Sequence, residues 1–576
     1  MGTFDEHLRK FCRGTKINVC IAPMVGKHYN PFLGTRNAYI YTHHQKTVVC
    51  DDPEEKTLVA YIGGIDLTGG RYDTRDYSLF RTLNSDHNED FYNGCATIVD
   101  GGKCGPRQPW HDIHASIRSG PLVLDIIQNF EERWRKQAPG LRDHLVDLEQ
   151  IGIKRFAKPA DGLSTTRSNH STGEWACQLY RSIDSRSADF QYSEENFVPL
   201  PFDQTRNVNF FDEANKNDYK EQKINKFVGR DPRPITQKRF ISASWDGFEF
   251  HKDGLTRKRE IVIDRSAHDA LVYHIRRAEH CLYMESQYFL SSSQFWLQDK
   301  GVKCENLIAS EITLKICQKI EAGERFAAYI VLPMWSEGLP SSASVQEILH
   351  WQSNTMEAMY SRIASSIKQK KAKDESFQAK PTDYLNFYCL GNRETAKGNE
   401  ATVLPKKGTP EETLWRTRRH LIYVHSKMTI VDDAVALIGS ANINQRSLDG
   451  ARDSEIVMGC WQPNHLANKR STAKGDVHGF RLQCFAHTTG KMEDTFREPS
   501  NLECVERINA IAKENWERFV QDEVCEMDSY LMSYPIQVDE KNGRVTAKKG
   551  TGSVFPDTNA KILGKNSWLL PSSLTT

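Results

Sequence analysis

Two stretches of pattern H-x-K-x-x-x-x-D stand far apart in this chain, His44, Lys46 and Asp51 in the first and His425, Lys427 and Asp432 in the second. These residue types suit chemistry at phosphorus. An imidazole can attack phosphorus or carry a proton, and an ammonium can hold the nonbridging oxygens of a phosphodiester. Two sets supply a double displacement. One imidazole attacks and becomes a phosphohistidine. The other protonates the leaving alkoxide and then deprotonates water. The lysines already supply cationic charge, so the scheme needs no metal. On a β-strand, side chains two residues apart share a face. Each His–Lys pair is therefore expected to point into one pocket, with each Asp at a strand end, placed to reach back or to serve structure.

A single H-x-K is common by chance. Here the surroundings repeat as well. The first copy reads YIYTHHQKTVVCDD and then AYIGGIDLTGGRYDT; the second reads LIYVHSKMTIVDD and then ALIGSANINQRSLDG. Each has an apolar run, the motif, and a second apolar run closing on Gly63–Asp66 or Gly439–Asn442. Other elements must hold these strands. Residues 121–136 follow a proline and place Leu122, Ile126, Phe130 and Trp134 on one helical stripe. Glu311–Ala322 repeats that pattern with Ile312, Ile316 and Ile320, and RFAAYIVLPMW and HCLYMESQYFL read as buried strands. Strand and helix in alternation predict an α/β fold.

The division expected is a first catalytic half over 1–200, a polar insertion over 201–260, a second half over 261–470 and a C-terminal region of the catalytic unit over 471–576. The lysine-rich stretch 368–383 is expected to be a solvated loop, and Arg416, Arg418 and Arg419 a solvated strand entry. Used as a ruler, the repeat predicts that the first half lacks its opening strands. Only 43 residues precede His44, against about 160 between Ile261 and His425.

Bulk composition narrows the class. Hydrophobic residues are 39% and aromatics 10% of 576 residues, a globular composition large enough for more than one core. The 76 basic against 75 acidic residues leave no surplus of the kind a nucleic-acid binder carries. Fourteen cysteines form no C-x-x-C pair, which suits a reducing, cytoplasmic setting. No apolar run reaches the roughly 18 residues of a membrane span, and the N-terminus has no signal-peptide core. A lipid substrate would be met at a membrane surface by a peripherally bound enzyme. Oligomeric state leaves no mark in the sequence.

The longer matching stretches are THHQKTVV, GGIDLTGGRYDT, GPRQPWHDIH, QLYRSID, YMESQYF, VLPMWSEGLP, IYVHSKMTIVDD and GSANINQRSLDGARDSE. Through them the chain resembles plant-type phospholipase D from about residue 10 to its end, apart from the insertion. The resemblance implies two pseudo-symmetric halves, each a mixed β-sheet flanked by helices, with the active site at their interface. It implies hydrolysis of phosphatidylcholine and similar lipids to phosphatidate, and transfer to short alcohols. By carry-over, His44 is the nucleophile, His425 the acid and base, and Lys46, Lys427 and Asn442 hold phosphate. Gln287 matches a substrate contact, and otherwise closes a strand. Glu455 orients a histidine, or else forms a surface ion pair. The resemblance also implies Ca2+, with His111 matching one ligand. Tyr77 and His487 stand where the family pattern has a histidine and a glutamate, and His111 and His114 read equally as turn or core residues. The competing readings are a shortened, inactive lipid-binding relative and a nuclease of the same superfamily.

Overall fold

The structure, a computed structural model, describes residues 5–22, 29–30, 35–36, 41–54, 57–94, 104–118, 120–148, 150, 152, 175–190, 263–397, 400, 403–548, 552–567, 570 and 572–576. The polar insertion expected over 201–260 lies outside the described residues.

Buried apolar strands build one large mixed sheet. Cys281–Glu285, Ala327–Val331 and Leu385–Arg393 are buried along their whole length. They pair in parallel, 281–285 with 327–331 and 327–331 with 385–393. Strands covered on both faces read as continuous apolar runs, and so these do. Antiparallel strands extend the sheet on either side, with Arg419–Val424 beyond Leu385–Arg393 and Met428–Val431, Val435–Gly439 and Glu455–Trp461 beyond Cys281–Glu285. The helix Ile308–Ala322 places Ile312, Ile316 and Ile320 in the core and ends where Gly323 turns left-handed at φ 72°. The helix Pro121–Gln137 covers a separate antiparallel sheet of Thr47–Asp52, Thr57–Gly63 and His114–Arg118, packing Val123 and Ile126 against Ala60.

The first half keeps that small sheet and also lends strands to the large one. Ala176–Asp184 pairs along seven residues with Glu455–Trp461, and Trp110–His111 pairs with Tyr423–Val424 at the other edge. First-half strands therefore extend the large sheet on both flanks. Two sequence expectations change. The helix Ala343–Lys373 runs through the first part of the lysine-rich stretch, because Lys, Gln and Ala continue a helix whose buried face lies further back. Arg418 pairs with Glu400 and stacks over Phe80 at 3.8 Å, and Arg419 pairs with Asp557 at 2.7 Å, so these two arginines face inward rather than into solvent. No helix among the described residues is long and apolar enough to cross a membrane.

Candidate active site

Each H-x-K triplet sits at a break between extended segments rather than inside a strand. Thr47–Asp52 begins after Lys46, and His425 to Lys427 separate Arg419–Val424 from Met428–Val431. Backbone bonds to the opposite half hold both triplets: His44 N–H donates to Ser454 O at 2.9 Å and His425 N–H to His111 O at 2.7 Å. Lys46 Nζ donates to the carbonyl of His44 at 2.8 Å, and Lys427 Nζ donates to that of His425.

Each imidazole is held by a carboxylate from the other half. His44 Nδ1 lies 2.9 Å from Glu455 Oε2, and His425 Nδ1 lies 2.8 Å from Asp112 Oδ2. Glu455 is itself fixed by Ser440 Oγ at 2.6 Å and Ser447 Oγ at 2.7 Å. Asp112 lies against Gly64, where a Cβ would stand 2.1 Å from Asp112 Oδ1, so only glycine fits there. A carboxylate at Nδ1 fixes the tautomer and orients Nε2. Neither Nε2 has a hydrogen-bond partner among the described residues. The Trp110 ring packs beside His425 with centroids 4.8 Å apart.

Burial shapes the charges around the second motif. Burial, helped by the adjacent Lys427 charge, pulls His425 down to about 3 against the pull of Asp112. Burial likewise brings the Lys427 ammonium down to about 7. Burial raises Asp112, but its hydrogen bond to His425 and nearby cations outweigh that and set it at about 2. The His44 side chain is 22% exposed and that of His425 only 3%, so His44 is the more accessible ring.

Gln287 sits between the second motif and the aromatic wall. Its Oε1 accepts from Lys427 Nζ at 3.0 Å and Asn442 Nδ2 at 3.1 Å, and its Nε2 donates to Tyr423 Oη at 2.9 Å. The motif aspartates diverge. Both oxygens of buried Asp432 accept backbone N–H groups, from Glu279, His280 and Cys281 at 2.7, 2.7 and 2.9 Å. Asp432 thus anchors the start of the Cys281–Glu285 strand, and Asp51 lies exposed at the end of its own strand. Asp432 takes the structural of its two readings, and among the described residues no bond joins either carboxylate to a motif histidine or lysine.

His111, the proposed calcium ligand, has both ring nitrogens engaged. Tyr77 Oη meets Nδ1 at 2.5 Å, and Glu285 lies 2.8 Å from Nε2. Tyr77 Oη also meets His487 Nε2 at 2.9 Å, so the two replaced positions bond to each other. A calcium ion prefers six to eight oxygens. His111 could ligate one only by giving up Tyr77 or Glu285, and among the described residues no group of three or more His, Cys, Asp or Glu could hold a metal ion. The described residues around His111 do not fit the ion. His114 accepts the Ile65 N–H at 3.3 Å and so holds a turn.

Sequence reasoning missed Asp112 and Asp66. Asp66 Oδ1 pairs with Lys46 Nζ at 3.0 Å. Both stood in quoted stretches, Asp112 in PWHDIH and Asp66 opposite Asn442 in the repeat.

A sequence model described as Phospholipase D matches residues 1–199 and again 200–564. The chain belongs to the phospholipase D family. Relatives include phospholipase D alpha 1 of Zea mays, 40% identical over 594 residues and matching all of this chain and 64% of that protein. Phospholipase D beta 2 of Arabidopsis thaliana is 39% identical over 577 residues, matching 98% of this chain and 56% of that protein. The chain thus spans roughly three-fifths of the length of these phospholipase D relatives. Among solved structures, NucT from Helicobacter pylori aligns at 12% identity with a TM-score of 0.18, over 35% of this chain and 80% of that one.

Proposed function

We propose that this chain is a phospholipase D that hydrolyses glycerophospholipids such as phosphatidylcholine to phosphatidate and the free headgroup, and transfers the phosphatidyl group to short alcohols. The observation that carries it is the crossed pair of His–carboxylate bonds, His44 to Glu455 and His425 to Asp112, each leaving an imidazole Nε2 without a protein partner among the described residues. His44 Nε2 attacks phosphorus, and the P–O bond to the headgroup breaks. His425, whose proton affinity rises when the phosphodiester anion arrives beside it, gives its proton to the leaving alkoxide. Neutral His425 then takes a proton from water or an alcohol, which attacks the phosphohistidine and releases His44. Lys46 and Lys427 hold the nonbridging oxygens, with Asn442 and Gln287 setting the position of Lys427. No step runs through calcium. The enzyme meets lipid at the membrane surface from the cytoplasmic side, with no role for nucleic acid.

The test is product formation. The purified chain, given phosphatidylcholine in detergent mixed micelles and 1-butanol, is expected to form phosphatidylbutanol. His44→Ala and His425→Ala are each expected to lower the rate by about a thousandfold or more. No product from the unaltered chain, with or without calcium, would overturn the activity; full activity in either variant would overturn the two-histidine scheme.

A further inference from the structure

The site is nearly two-fold symmetric, and Asp66 is among the residues that break the symmetry. Two imidazoles, two carboxylates on Nδ1 and two lysines bonded to their own histidine carbonyls all come in pairs. Asp66 does not. Its counterpart in the repeat is Asn442, a neutral amide buried against Gln287. Among the described residues, Lys427 is thus held by uncharged oxygens, from Gln287 and His425, whereas Lys46 is held by the His44 carbonyl and the Asp66 carboxylate.

Positioning a lysine does not require that carboxylate, because the second half positions Lys427 without one. A negative charge beside a phosphate pocket also opposes the entry of an anionic diester. It becomes favourable when the substrate brings its own cation. Exposure points the same way. The Asp112 and Glu455 side chains are 3% and 0% exposed and engaged by histidine, whereas that of Asp66 is 38% exposed, so it is the carboxylate of these three that an arriving headgroup can reach. Burial raises its pKa, but the Lys46 ammonium beside it outweighs that and keeps it lowered.

We infer that Asp66 is a specificity-determining residue whose carboxylate receives the ammonium of a zwitterionic phospholipid headgroup, favouring ammonium-bearing headgroups over hydroxylated ones. The inference rests on the phospholipase D reading of the same site. It is tested with vesicles holding equimolar phosphatidylcholine and phosphatidylglycerol, so that both reactions share one surface charge, with choline and glycerol release measured in the same tube. Asp66→Asn is expected to lower the choline-to-glycerol ratio about threefold to fivefold, the scale of one partly exposed ion pair, and Asp66→Glu to restore most of it. A role confined to holding Lys46 would slow both reactions equally. An unchanged ratio in Asp66→Asn therefore overturns the inference and leaves the phospholipase D reading standing. Release of neither headgroup by the unaltered chain overturns that reading and the headgroup assignment with it.

Discussion

At the scale of residues, the chemistry depends on which nitrogen of each imidazole carries the proton. Asp112 and Glu455 decide this by accepting from Nδ1. Asp112→Asn would offer an amide N–H to that nitrogen and so favour the opposite tautomer. We expect Asp112→Asn and Glu455→Gln each to lower phosphatidylbutanol formation about 100- to 10,000-fold while the melting temperature stays close to that of the unaltered chain. Loss of activity together with loss of folding would point instead to a purely structural bond. The motif residues were legible in the sequence because their relation is local, two and seven positions apart. Asp112 was not, although it stood next to His111 in a stretch singled out for another reason. Its partner lies 313 residues away, and no local spacing encodes that distance. Glu455 carried two readings, and the 2.9 Å contact with His44 favours the orienting one.

At the scale of elements, the same motif letter does two jobs. Asp432 accepts three backbone N–H groups at the start of the Cys281–Glu285 strand, and Asp51 stands exposed. Removing a buried acceptor leaves its donors unsatisfied. Asp432→Ala is therefore expected to destabilise the chain by about 3 kcal/mol, and Asp51→Ala by about 0.5 kcal/mol or less. Urea unfolding of the two variants checks this, and equal costs would refute it. Helix Ile308–Ala322 and the strands around 281–285 and 327–331 were legible because long apolar runs and a clear period announce them. The pairing of Ala176–Asp184 with Glu455–Trp461 was not, since a strand's own sequence says little about which distant edge it joins.

At the scale of the whole molecule, buried histidines link folding to pH. Burial takes His274 and His420 down to about 4 and His425 to about 3, well below the ordinary value of 6.5. Between the ordinary and the lowered values, the unfolded chain binds a proton at each position and the folded chain does not. The contribution of these three groups is therefore full above about pH 6.5 and falls as pH drops towards 4, by about 1.4 kcal/mol per pH unit for each group. Urea midpoints measured at pH 7.5, 6 and 5 should decline in that order, and His420→Asn should reduce the decline. A flat profile would contradict neutral burial.

The crossed carboxylates have a further consequence. Each half keeps its own histidine but borrows the group that sets it to work, Glu455 serving His44 and Asp112 serving His425. The arrangement behaves as a mutual lock: a polypeptide carrying one motif would retain a nucleophile or a proton carrier with nothing to aim it. Activity should thus vanish with either half rather than fall by two, and a change at one strand of the repeat is answerable to residues some 300 to 400 positions away.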